Sequence, residues 1–297
     1  MTPKHAAPMP SGLLLVDKPG GITSHGAVAA ARRALGTRKI GHAGTLDPMA
    51  TGLLILGVER ATRLLGHLAL HDKEYLATIR LGATTVTDDA EGETLELADP
   101  STLAAVTADD IDHAMLALTG EIQQVPSSVS AIKVDGKRSY ARVRAGEEVE
   151  LKARTVTVSV FERTSISRSG TAIDIDVRVE CTTGTYVRAL ARDLGAALSV
   201  GAHLTMLRRT RIGAFTVDHA AVVDDIGVGS LIPLAEAARS CFPTVVLTAE
   251  DADHVSHGRR IACDVDEPTA LMSPEGELLA LADTDGGRLR YLAVFVG

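Results

Sequence analysis

The sequence predicts an α+β fold: a mixed sheet flanked by helices and loops, followed by a small C-terminal module. Three observations predict it. Residues 155–160 and 173–181 alternate with period two. Val156, Val158 and Val160 oppose Thr155, Thr157 and Ser159. Ile173, Ile175, Val177, Val179 and Cys181 oppose Asp174, Asp176, Arg178 and Glu180. That pattern marks a sheet with one buried face. Between strands, apolar residues recur at helical spacing, as in Val187, Leu190, Ala191, Leu194 and Leu198. Finally, Ser240-Cys241-Phe242-Pro243 breaks the chain.

The elements follow in order. Gly12–Val16 reads as a short apolar strand that runs into the turn Asp17-Lys18-Pro19-Gly20-Gly21-Ile22-Thr23-Ser24. Thr23 or Ser24 can cap a helix over 25–35. The turn is not a phosphate loop, because Lys18 precedes the glycines. Leu53-Leu54-Ile55-Leu56 reads as a buried strand, 59–68 as helical, and 76–81 as a strand opened by Lys73-Glu74-Tyr75. Residues 88–112 hold nine acids and no base and read as an exposed loop leading into a helix over 109–118. A turn at Thr182-Thr183-Gly184-Thr185 precedes a helix near Tyr186, in whose first turn Arg188 is disfavoured by the helix dipole. A strand over 205–213, a short helix over 231–239 and a second helix over 249–257 complete the reading. The expected division is a disordered tail at 1–10, a main domain at 11–241 and a module at 242–297.

Composition is that of a globular protein: 297 residues, 45% hydrophobic and 23% charged. No apolar run approaches the ~20 residues of a membrane span, and the first ten residues do not read as a signal peptide. Cys181, Cys241 and Cys263 are too scattered for a disulfide framework or a structural zinc site, so a reducing cytoplasm is expected. The net charge of −8 is segregated. Residues 217–297 carry 5 basic and 14 acidic residues, whereas the first 216 outside the acidic block carry 25 and 15. A basic face can exist on such a chain. Its densest part is 124–154, with Lys133, Lys137, Arg138, Arg142, Arg144, Lys152 and Arg154 around Tyr140. This segment is either a solvated excursion or an arm that holds phosphates.

One carboxylate stands out. Gly41-His42-Ala43-Gly44-Thr45-Leu46-Asp47-Pro48-Met49-Ala50-Thr51-Gly52 sets Asp47 in a glycine-dense loop at the lip of a buried strand. Asp before Pro also fits an ordinary turn.

Taken together the motifs resemble the bacterial tRNA pseudouridine-55 synthases, the TruB family. The resemblance spans most of 11–216. It rests on residues 18–24, 41–48 and 73–75, on Pro126-Ser127-Ser128-Val129-Ser130-Ala131-Ile132-Lys133, on Gly184-Thr185-Tyr186-Val187-Arg188-Ala189-Leu190, and on Leu207-Arg208-Arg209. It implies a pseudouridine synthase fold with a largely antiparallel sheet and a PUA-like C-terminal module. It implies isomerisation of uridine 55 in the tRNA T-loop by a monomer needing no cofactor and no metal. Asp47 matches the catalytic aspartate, Tyr75 the tyrosine stacked on the target base, and Arg188 the arginine paired with the aspartate. Tyr186 and Leu207 match pocket residues, and His42 fills the space the base vacates. Lys18, Lys133, Arg138 and Arg142 are expected at the substrate, the last three in a thumb that clamps the T-arm. Three rivals remain: an RNA-binding or tRNA-folding module without catalysis, a hydrolase using Asp174 and Asp176, and a sister synthase acting on ribosomal RNA with guide RNA and protein partners.

Overall fold

The computed structural model describes residues 9–127, 133–134, 137–138, 152–286 and 288–296. The chain forms two compact units. One holds Met1–Pro48, Gly52–Ala69 and Gly213–Gly297; the other holds Met49–Thr51 and Leu70–Ile212.

In the first unit the strand Gly12–Lys18 pairs antiparallel with Thr51–Val58 and with Leu231–Pro233, and parallel with Ala221–Val222. Ile40–Ala43 adds to Thr51–Val58. Leu13 to Val16 and Leu53 to Leu56 are all buried, as continuous apolar runs require. The helix Ser24–Leu35 starts at Thr23, whose hydroxyl accepts from the Gly26 amide at 3.0 Å. Such a cap is worth ~1 kcal/mol. Residues 231–233, expected to be helical, form a strand instead, and the helix is Leu234–Cys241. Gly12 permits this pairing: a Cβ there would lie 2.4 Å from the Ile232 carbonyl oxygen. Residues 59–68 are helical, but most of the stretch is a 3₁₀ turn, Glu59–Leu64, entered through Glu59 at φ 54°.

The same unit carries a four-stranded sheet. Thr244–Val246 runs parallel to Thr269–Met272, followed by antiparallel Leu278–Asp285 and Arg288–Val294. The helix Ala249–Ser256 places Val255 in a core with Leu271, Leu279 and Ala282. Arg60 Nη1 donates to the Phe295 carbonyl at 2.7 Å, and Arg63 donates to that of Val294.

The second unit is built on five antiparallel strands in the order Ala202–Ile212, Lys73–Leu81, Ala172–Cys181, Arg154–Ser169, Gly120–Gln124. The inward set of Ala172–Cys181 is as expected: Ile173, Ile175, Val177, Val179 and Cys181 are all buried. On Arg154–Ser169 the alternation holds for Val156 and Val158 and then fails. A register shift between Val158 and Val160 turns Phe161 inward in place of Val160. The acidic block is not one exposed loop. It contains the strand Thr94–Leu97, the helices Pro100–Ala105 and Ala108–Ala117, and a buried Asp89. The helix Val187–Ala197 packs on Ala202–Ile212 and buries Val187, Leu190, Ala191 and Leu194; Leu198, expected in that stripe, is half-buried.

The basic segment departs and returns on paired strands, with Gln124 opposite Arg154. Lys133–Val134 pairs with Lys137–Arg138, setting Lys133 opposite Arg138. Arg142 lies outside the described residues, as do residues 1–8 of the expected tail.

Candidate active site

In the first unit the turn at 18–24 holds the Asp47 loop by its main chain on both sides. Ser24 Oγ donates to the Leu46 carbonyl at 3.0 Å and accepts from the Leu46 amide at 2.8 Å. On the other side, the Pro48 carbonyl accepts from the Gly21 amide at 2.9 Å and from Lys18 Nζ at 3.2 Å. Lys18 is fully buried and also donates to the Pro19 and Ile22 carbonyls at 2.9 and 2.8 Å. Three carbonyls therefore take up its ammonium, which supports the loop from below. Asp47 itself is half-buried, and its neighbour Leu46 is buried. Gly44 and Gly52 bracket the loop at φ 75° and 98°, where a side chain would be strained. His42, on the strand leading into the loop, meets His25 edge to face, with centroids 5.3 Å apart.

The second unit groups the other expected residues. On Lys73–Leu81 the buried face presents Lys73, Tyr75, Ala77 and Ile79. In the next strand Arg209 pairs with Tyr75, and Leu207 with Ala77; Leu207, Tyr75 and Arg209 are all buried. The Lys73 ammonium donates to the His71 carbonyl at 2.6 Å. Burial, reinforced by Arg209, pulls its pKa down to about 8.

Tyr186 and Arg188 open the helix Val187–Ala197. Gln124, 1% exposed, brackets the Tyr186 backbone: its Oε1 accepts from the Tyr186 amide at 2.7 Å and its Nε2 donates to the Tyr186 carbonyl at 3.2 Å. Arg188 is 4% exposed. Its Nη1 donates to the Thr87 carbonyl at 2.8 Å, and its Nε lies 3.7 Å from Asp89 Oδ2. The cation that the helix dipole disfavours thus has a buried carboxylate beside it. Asp89 Oδ1 is held by the Glu91 amide at 3.0 Å and by the Thr87 hydroxyl. Nothing within the run of nine acids singles this residue out.

Residues 32–187 match the family model described as TruB family pseudouridylate synthase (N-terminal domain). Residues 188–230 match the tRNA pseudouridylate synthase B C-terminal domain, and 242–296 match tRNA pseudouridine synthase II, C-terminal. The chain belongs to the TruB family. The tRNA pseudouridine synthase B of Leifsonia xyli is 55% identical over 291 residues, covering 96% of each chain. That of Thermobifida fusca is 53% identical over 97% of this chain and all of its own. Among solved structures, a Cbf5-Nop10-Gar1 complex superposes with a TM-score of 0.71 at 28% identity, over 96% of this chain and 85% of that one. An H/ACA RNP bound to a substrate RNA containing 2′-deoxyuridine gives 0.70 at 26% identity, over 98% and 92%.

Against this family the paired-carboxylate rival loses its site. Asp174 is committed to Arg80 through two bonds of 2.7 Å, which hold its pKa below the usual carboxylate range. Asp176 accepts from Thr78 at 2.6 Å and from Ser165 at 2.7 Å. Both belong to a polar ladder on the wet face of the sheet.

Proposed function

We propose that this chain isomerises uridine 55 of tRNA to pseudouridine, with Asp47 as the group that acts at the sugar. The reaction breaks the bond from ribose to N1 and makes one to C5; the C5 hydrogen leaves and N1 gains one. No atom is gained or lost overall and no electron changes hands, so the reaction demands of this chain neither metal nor cofactor. It demands a fixed carboxylate. The observation that carries the reading is the clamp on Leu46 and Pro48, which fixes the backbone on either side of Asp47 inside a chain of this family.

Arg188 serves in the role of the arginine that the family pairs with its catalytic aspartate. Extruding the base costs a few kcal/mol. Stacking on Tyr75 returns ~1–3 kcal/mol, and His42 fills the gap left in the T-loop. Tyr186 and Leu207 line the pocket, while Lys133, Arg138 and Arg142 bind T-arm phosphates. The protein acts as a cytoplasmic monomer. Residues 11–241 form the catalytic domain and 242–297 a PUA-like module, a division in keeping with the family models that end at 230 and begin at 242.

The test is release of hydrogen from C5 of uridine in a bare tRNA transcript, with wild type and Asp47→Asn side by side. The expected result is release by wild type alone, with equal tRNA binding. Release by Asp47→Asn would remove Asp47 from the reaction. Inactivity of wild type without guide RNA and protein partners would favour the sister class.

A further inference from the structure

The helix that carries Arg188 carries a second arginine one turn on. Arg192 Nη2 donates to the Val125 carbonyl at 2.7 Å, and its Nη1 lies 3.5 Å from Asp88 Oδ2. Its Nε donates to Asp193 at 2.9 Å. Val125 belongs to the described stretch Val125-Pro126-Ser127 that follows the strand Gly120–Gln124 and immediately precedes the basic segment in sequence. Ser127 is fully buried and lies beside Asp88, without a hydrogen bond of standard geometry.

Asp88 is placed at a cost. Its φ of 59° is left-handed, a region that residues with a side chain enter uncommonly. Neighbouring bonds hold it there: its carbonyl accepts from the Leu204 amide at 3.0 Å, and the Thr85 hydroxyl donates to the Asp89 carbonyl at 2.7 Å. Burial pushes the Asp88 carboxyl upward in pKa, against Ser127 and Arg192.

We infer that Asp88 and Arg192 are positioning residues: they latch the root of the basic segment, Val125–Ser127, to the helix that presents Arg188. Successive acids then hold successive turns of one helix, Asp89 at Arg188 and Asp88 at Arg192. The seating of the catalytic arginine and the anchorage of the RNA-binding segment share a single dipeptide. The consequence for catalysis rests on the proposed reading of that segment as the tRNA clamp.

The test uses the full-length protein and unmodified tRNA, with Arg192→Ala, Arg192→Lys and Arg138→Ala/Arg142→Ala. Hydrogen exchange in the free protein reads the latch without RNA. Arg192→Ala is expected to speed exchange at residues 124–127 while leaving the strand Ala172–Cys181 protected. It should raise KM for tRNA about tenfold, the loss of one charge-assisted bond, with a smaller effect on kcat. Arg192→Lys keeps the charge and should recover part of that loss. Unchanged exchange at 124–127 in Arg192→Ala overturns the latch, whatever the kinetics. So does faster exchange with KM unchanged, provided Arg138→Ala/Arg142→Ala does weaken tRNA binding. If the double variant binds normally, the clamp reading fails instead, and exchange alone decides the latch.

Discussion

Removing one oxygen from Ser24 tests whether the clamp sets the position of Asp47. In Ser24→Ala the Leu46 amide and carbonyl both lose the partner they have at 2.8 and 3.0 Å. Ser24 and Leu46 are 1% and 3% exposed, so water does not replace it while the loop stays where it is. An unpaired buried group costs ~1–3 kcal/mol, hence ~2–6 kcal/mol for the pair as an upper bound. The chain can escape that cost by letting the loop swing out to water, and Asp47 then moves with it. A displacement of ~1 Å at a reacting group costs about a hundredfold in rate. Stability and rate therefore trade against each other. Urea denaturation should show a loss of ~2 kcal/mol or more with the rate partly kept, or a smaller loss with single-turnover hydrogen release down by ten- to a hundredfold. A variant within ~0.5 kcal/mol of wild type that also keeps the wild-type single-turnover rate would refute the reasoning.

Other outcomes follow from the same geometry. Asp89→Asn should lower kcat with little change in KM, because it removes one buried carboxylate charge from beside Arg188; weakening a buried pair costs up to ~3–5 kcal/mol, and kcat and KM measured separately check it. Asp174→Ala should leave activity unchanged and cost at most ~1 kcal/mol, since its partner Arg80 is partly exposed; loss of activity would revive the paired-carboxylate rival. Lys73 has its pKa lowered from 10.5 to about 8. Between those values the unfolded chain keeps a proton the folded one has released, so this residue makes stability rise with pH there, and below about 8 its full cost persists. Lys73→Met should show a flatter stability curve from pH 7 to 9.5 in urea titrations. Binding to tRNA should weaken as salt rises; a dissociation constant flat across salt would speak against the basic segment as a phosphate clamp.

Features with a local physical cause were legible in the sequence. Ile173 to Cys181 announce a half-buried strand because alternation depends only on the pleat. Thr23 announces a cap because its hydroxyl serves an amide three residues on. Features caused by distant residues were not. The bulge that exchanges Val160 for Phe161 depends on register with Glu180 and Cys181. Residues 231–233 become a strand because Gly12 offers an edge far away in sequence. Among site residues, the burial of Lys18 beneath Pro48 was not legible, because its three carbonyl acceptors are brought together only by the folded turn and the Asp47 loop. Asp89 was indistinguishable from its acidic neighbours, because nothing in a run of nine acids says which one is buried.

The grip on Leu46 and Pro48 engages only peptide groups, so its strength is indifferent to what residue 47 carries. Scaffold and reagent are consequently separable. A cysteine or a glutamate substituted at 47 would inherit the same rigid perch, which makes this turn a ready mount for comparing side chains of different reactivity at one fixed point.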